Sequence, residues 1–268
     1  MNKVVLITGA SSGIGNVTAD YLSKNGFKVY GTSRNPEKSS KENFEMIALD
    51  VTDTESIQKA VQTVIDREER IDVLINNAGK GITGAIEETP TDEMRKAFET
   101  NFFGVIDMMK AVIPQMRQQR SGLIINVTSV AGYMGLPFRG IYSAIKGAVE
   151  ITTEAVRMEV KEFGISVTNI APGDFATNIA ANRYHTPVLK DSPYRDIYKK
   201  NLELMDRHVD EGSDPVEMAK IIHRIIQTKN PKIHYKVGSF LQKFSIVLKR
   251  ILPDKYYEKL IMNHYGMK

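Results

Sequence analysis

The sequence of 268 residues contains no cysteine. Disulfides, cysteine nucleophiles and zinc–thiolate centres are therefore excluded. No apolar run approaches the roughly 18–20 residues needed to cross a bilayer. No positively charged leader with a small-residue cleavage site precedes the first apolar run, "VVLITGA". A cytoplasmic protein is the expectation that follows. The histidines show no ligand spacing, so no metal is expected. The basic residues are dispersed and carry no reader motif, so no nucleic-acid partner is expected. The formal charge of +4 is mild, and much of the excess lies in the last forty residues, with nine Lys/Arg against two Asp/Glu. No low-complexity linker and no second core interrupt the chain, which reads as a single domain over 1–268.

What is present is an alternation. "KVVLIT", "FKVYGTS", "EMIALD", "DVLINNAG", "GLIINVTS" and "GISVTNIAPG" are continuous apolar runs, the pattern of strands covered on both faces. Amphipathic stretches over 13–25, 54–69, 91–117 and 141–163 lie between them. Repeated strand–helix–strand order predicts an α/β fold with one parallel, doubly wound sheet. Residues 179–212 break the rhythm: they are polar, carry Pro187 and Pro193, and read as an insert over the substrate cleft. A last strand-like run, "KIHYKVG", precedes a helical tail over 238–268.

"LITGASSGIG" ends the first strand and opens the first helix, with Gly9, Gly13 and Gly15 spaced G-x-x-x-G-x-G. Glycines there allow a sharp turn and let a phosphate approach the backbone, and the helix N-terminus adds free N–H groups and partial positive charge. A dinucleotide site that prefers NAD usually ends its second strand with an acid. Here that position holds Ser33, and Arg34 follows. Nothing there repels a phosphate and a guanidinium can grip one, so NADP(H) is expected in preference to NAD(H).

Thr8–Gly15 resembles the cofactor loop of the short-chain dehydrogenases/reductases. Four further stretches match that family in order: "NNAG" at 76–79, Asn101 in "ETNFFG", Ser129 followed thirteen residues later by Y-x-x-x-K (Tyr142, Lys146), and "PGDFAT" at 172–177. Together they cover residues 3 to about 178. "GYMGLPFRGIYSAIKGA" is also similar to the hydroxysteroid and retinol dehydrogenase branch. The resemblance implies a Rossmann-type sheet of about seven strands with helices on both faces. It implies cofactor contacts from Gly9, Ser11, Ser12, Gly13, Ile14 and Gly15 in the loop and from Asp50 and Val51 after the third strand. Asn77, Ala78, Gly79, Tyr142, Lys146, Pro172, Gly173, Phe175 and Thr177 complete the implied set. Asp50 also reads as a cap for the helix beginning near Thr54. Two residues depart from the family pattern: Ile145, where a small residue often precedes the lysine, and Asp174, beside the nicotinamide segment.

Ser129, Tyr142, Lys146 and Asn101 are the implied catalytic group. Tyr142 and Lys146 are four residues apart and share one helix face. Phenols ordinarily titrate near pH 10, and a neighbouring cation favours the phenolate, which suits proton exchange with a carbonyl oxygen. The implied activity is hydride transfer between nicotinamide and a carbonyl/alcohol pair. A catalytically silent nucleotide-binding or redox-sensing protein of the same fold is the alternative, and it leaves the four-residue group without a purpose.

Met134, Leu136 and Phe138 lie between the serine and the tyrosine, and Phe175 faces the same cleft in this reading. An apolar wall with few polar groups suits a small-molecule substrate that is a bulky lipophilic ketone, aldehyde or alcohol, and it does not distinguish a steroid-like, a retinoid-like or a fatty acyl compound. In the tail, Phe240, Leu241, Phe244, Leu248, Ile251 and Leu252 fall near helical spacing, with Lys243 and Arg250 opposite. The tail reads as packing on the core, the pocket mouth or a second subunit, or as a basic amphipathic helix in peripheral contact with a membrane. A second stripe on the long helix, Ala148, Ile151, Ala155 and Met158, is either core or the helix pairing by which relatives form a homodimer or homotetramer.

Overall fold

The computed structural model describes residues 2–39, 43–176, 183–210 and 212–267. Strand β1 (Val4–Ile7) leads through the glycine loop into α1 (Gly13–Lys24). Then come β2 (Lys28–Ser33), β3 (Glu45–Ala48), α2 (Thr54–Glu68) and β4 (Val73–Asn76). A two-residue β5 (Ile82–Thr83) precedes α3 (Thr91–Phe98), a π turn (Glu99–Phe103) and α4 (Gly104–Gln119). β6 (Gly122–Val127), α5 (Gly140–Glu159) and β7 (Ile165–Pro172) follow. The chain ends with β8 (Tyr184–His185), α6 (Arg195–Asp210), α7 (Pro215–Gln227), β9 (His234–Val237), α8 (Phe240–Ile251) and α9 (Asp254–His264).

Seven strands form one sheet in the order β3-β2-β1-β4-β6-β7-β9, every neighbouring pair parallel. This is the parallel, doubly wound α/β sheet that the alternation predicts, with the strand number that the family resemblance implies. A separate parallel ribbon of β5 and β8 had no signal in the sequence.

The continuous apolar runs follow from burial on both faces. Val4, Leu6, Leu74 and Ile124 point to one side, where α2, α4 and α5 supply Val64, Met108, Val112 and Val149. Val5, Ile7, Val73, Ile75, Leu123 and Ile125 point to the other, where α1 and α7 supply Ala19, Leu22, Met218, Ile222 and Ile225. In β1 and β4 alternate residues serve opposite cores, so the period-two polar alternation of a half-exposed strand is lost there, whereas the edge strand β3 keeps an exposed Glu45.

The structure adds detail to four local expectations. The stretch 91–117 is not one α-helix: the π turn splits it, and Gly104 N–H reaches back five residues to Glu99 O. Asp53, not Asp50, caps α2, accepting from Glu55 N at 2.9 Å and Ser56 N at 3.2 Å. The polar insert over 179–212 contains helix α6 and strand β8 in its described part. The stripe on α5 is not core, because Ile151 and Met158 are exposed. No described helix is long and apolar enough to cross a membrane.

Leu74 sits at the centre of the sheet with no exposure. Leu74→Ala is expected to lower the unfolding free energy by about 2–5 kcal/mol, read from the shift in the urea midpoint at unchanged m-value.

Candidate active site

The chain winds from β1 outward through β2 and β3, then returns to start β4 on the other side of β1. Where the winding reverses, the carboxyl ends of the strands diverge and leave a crevice. A cleft of about 700 Å³ opens there.

One end of the cleft is formed by the glycine loop, with Gly9, Ser11, Ser12, Gly13 and Ile14 in its wall. Ser12 is the N-cap of α1 but makes no side-chain capping bond. The first-turn N–H groups and the positive end of the helix dipole are thus left for an anion. Gly15 plays a different part from its neighbours. A Cβ there would overlap Gly9 O and Asn77 Nδ2, and that Asn77 amide bonds Thr8 O and Gly9 O at 3.0 Å each. Gly15 lets β4's end lock the loop rather than lining the cleft itself.

Arg34, Asp50 and Val51 line the same end, with Ser33 beside them. The buried Ser33 Oγ has no hydrogen-bond partner among the described residues, and Arg34 forms no salt bridge among them. Burial alone would raise the Asp50 carboxyl. The backbone N–H and hydroxyl of Thr52, with the charge of Arg34, outweigh that and hold it below its ordinary value. An orphaned hydroxyl, a guanidinium without a salt bridge and uncapped helix amides suit the phosphates of a dinucleotide.

Asn77 and Ala78 lie against the glycine loop, and Gly79, Asn101, Tyr142, Lys146 and Pro172 complete the lining of the same cleft. α5 carries Tyr142 and Lys146, both largely buried. Lys146 Nζ donates to Val127 O at 3.0 Å and lies 5.8 Å from the centre of the Tyr142 ring. The Arg139 guanidinium lies 5.3 Å from the same ring. Ile145 is fully buried with Ile82, Ala97 and Ala131, and Phe98 and Phe102 pack on that cluster. It fills the space between α5 and the helix that carries the π turn, which accounts for a large residue before the lysine.

Asn101 lies in the π turn, a geometry common at functional sites. Its Nδ2 donates to Ala97 O at 2.8 Å and Lys80 O at 3.0 Å, and its Oδ1 accepts from Lys80 N at 3.1 Å. A Cβ on Gly79 would stand 2.5 Å from Asn101 Oδ1, so the "NNAG" glycine is required by the asparagine that faces it.

Ser129 lies two residues beyond the end of β6 and is buried. Its hydroxyl accepts from Ala131 N at 3.2 Å and caps the short turn Val130–Tyr133. That turn is clamped by a carboxylate that sequence reasoning missed. Glu150, four residues beyond Lys146 on the same face of α5, accepts from Thr128 Oγ1, from Tyr133 OH at 2.7 Å and from Asn169 Nδ2 at 3.0 Å. His234 Nδ1 stands 2.8 Å away. Burial, followed by the Glu150 charge and hydrogen bond, pushes the Tyr133 phenol well above its ordinary range. The spacing Y-x-x-x-K-x-x-x-E was visible, but its partners come from β6, β7 and β9 and are remote in sequence.

Several expected site residues lie elsewhere. Phe175 is buried in the core against α7 rather than in the cleft. Gly173 abuts Gln242 of α8, and that residue's Nε2 donates to Asp174 Oδ2 at 2.7 Å. Met134 is covered by Ile246 and Tyr257 of the tail. Leu136 packs against both that cluster and the Tyr142 cluster. The Phe138 ring packs against Tyr198 of α6, with centroids 5.1 Å apart and planes tilted by 38°. Thr177 lies outside the described residues. Arg183 was also unforeseen: its side chain is 6% exposed and pairs with Asp206 at 3.4 Å. Burial, then the like charge of Arg139, lowers its pKa.

Compared with known proteins, the chain matches the family model described as short chain dehydrogenase over residues 3–187. It is 40% identical over 267 residues to a 3-ketodihydrosphingosine reductase from Bacteroides thetaiotaomicron, covering 99% of each chain. A solved short-chain dehydrogenase from Streptomyces avermitilis superposes with a TM-score of 0.82 at 33% identity, covering 97% of this chain and 98% of that one. The NADP-bound structure of ElxO gives a TM-score of 0.71 at 27% identity, covering 88% of this chain and 97% of that one.

The Gly79–Asn101 contact is open to test. Gly79→Ala is expected to cost about 1–3 kcal/mol of stability, read as a lowered urea midpoint. Asn101→Ala in the same background, which removes the opposing oxygen, is expected to make the added methyl nearly neutral. A Gly79→Ala protein as stable as wild type would show that Asn101 yields without cost.

Proposed function

The chain belongs to the short-chain dehydrogenase/reductase family and is an oxidoreductase, and we propose that it uses NADP(H) on a lipophilic ketone, aldehyde or alcohol, with Tyr142 as general acid and base. The observation that carries this reading is convergence. Tyr142, Lys146 and Asn101 line the same cleft as the glycine loop and Arg34.

When bound, the nicotinamide group supplies or accepts the hydride. In the reducing direction Tyr142 Oη gives its proton to the carbonyl oxygen, and in the oxidising direction it takes the proton back. Lys146, tethered by Val127 O, keeps a positive charge beside the oxygen that the proton leaves. Ser129 Oγ spends an acceptor site on Ala131 N, which leaves its own proton for the substrate oxygen and fixes that oxygen's position. Asn101 holds the Lys80 backbone next to Gly79, keeping the wall behind Lys146 in place.

The Bacteroides relative is by name a reductase of a keto compound, and ketone reduction is the direction proposed here. Leu136, which joins the Tyr142 cluster to the apolar cluster under the tail, supports a lipophilic substrate. The exposed Ile151 and Met158 on α5 support a homodimer or homotetramer paired through that helix.

Tyr142→Phe keeps the ring and is expected to abolish turnover while NADPH binding, followed by cofactor fluorescence, is retained. Turnover by the variant would overturn the mechanism. Arg34→Ala is expected to lower the NADP/NAD preference in kcat/KM by roughly tenfold or more, and an unchanged preference would remove the case for NADP(H). NADPH consumption screened over 3-ketodihydrosphingosine, steroids, retinoids, aliphatic aldehydes and sugars tests the substrate class. Tight NADPH binding with no turnover of any carbonyl would favour the silent alternative.

A further inference from the structure

The outer face of α8 is apolar and uncovered. Phe240, Phe244, Val247 and Ile251 follow one another at three- and four-residue intervals, so they form a single stripe. Their exposures are 73%, 41%, 44% and 67%, and Leu241 beside them is 76% exposed. Phe240 and Phe244 stack ring on ring at 5.6 Å. Leu248 and Leu252, expected in the same stripe, turn inward instead and pack with the buried Ile246. The helix is held firmly in this orientation. Ser239 and Gln242 form a capping box at its start, and its inner face rests on Met134 and the turn that follows Ser129. The outward stripe is thus fixed by the fold, and soluble proteins seldom leave contiguous apolar surface of this kind without use.

Charge says what covers it. α8 contains Lys243, Lys249 and Arg250 and no acid. Lys243 and Arg250 are exposed and border the stripe. A twofold contact between two copies would bring these cations together with nothing on either helix to neutralise them. An anionic lipid surface supplies both what the stripe needs, an apolar phase, and what its border needs, negative headgroups. We propose that α8 is an interfacial helix that docks this protein on anionic bilayers. Because its inner face covers the turn after Ser129, docking sets the segment leading into α5 close to the lipid.

The test uses the full-length protein with extruded vesicles of phosphatidylcholine alone or mixed with phosphatidylglycerol, followed by co-sedimentation. Wild type is expected to sediment with the anionic vesicles and to be released by raised salt. Phe244→Glu with Ile251→Glu is expected to lower partitioning about tenfold or more. Lys243→Glu with Arg250→Glu, which leaves the apolar stripe intact, is expected to lower it about tenfold on anionic vesicles. Both variants should retain wild-type NADPH binding, which separates docking from folding and from the cofactor site. Wild type remaining in the supernatant with both vesicle types would overturn the proposal. So would a dimer by light scattering that the Phe244/Ile251 variant breaks while vesicles bind neither protein, since a second copy would then be the occupant.

Discussion

Every pair in the main sheet is parallel, and most of what this protein does follows from that constraint. A parallel pair cannot be joined by a tight turn, so each return to the sheet is made by a crossover that covers one face. All strand ends of one polarity then emerge at one edge, where the backbone must leave the sheet and polar groups accumulate. The glycine loop, Asn76–Gly79, Ser129 and Pro172 are four such exits. They come from distant parts of the chain, yet the sheet register alone sets them side by side.

Two buried polar contacts then fix what the sheet only brings near. Asn101 stitches the π turn to the backbone after β4. Glu150 gathers donors from both sides of the Ser129 turn and from β7. A carboxylate has about four acceptor positions, and here the neighbours occupy them. Such groups are costly when left unpaired and give a defined geometry when satisfied. Both contacts restrain the backbone beside Gly79 and Ser129 rather than the side chains of Tyr142 and Lys146.

What could be read from the sequence was local. The glycine spacing, the Tyr142–Lys146 interval and the missing acid at Ser33 are properties of a few consecutive residues, and the two-faced burial of each strand shows in an unbroken apolar run. What escaped depends on partners far along the chain. Nothing near Asn101 signals a π turn. Asp53, directly before Thr54, takes the cap, while the Asp50 carboxylate is held by the Thr52 backbone and hydroxyl. Phe175 and Met134 looked like pocket wall because they flank motifs, whereas α7 and the tail bury them. Val247 belongs to the exposed stripe and Leu248 does not, a distinction set by which side of α8 meets Met134.

The side chain of Gln242 links two regions that the sequence keeps apart. Its oxygen completes the cap of α8, accepting from Ser239 N, while its amide holds Asp174 just beyond β7. Order in the tail and order in the segment after β7 are therefore thermodynamically linked, and linkage runs both ways. Opening the first turn of α8 releases Asp174, and any contact that steadies residues 172–174 also steadies the helix. The tail is in this sense part of the same cooperative folding unit as the last residues of the cleft. Amide hydrogens in the two regions should exchange together rather than in sequence.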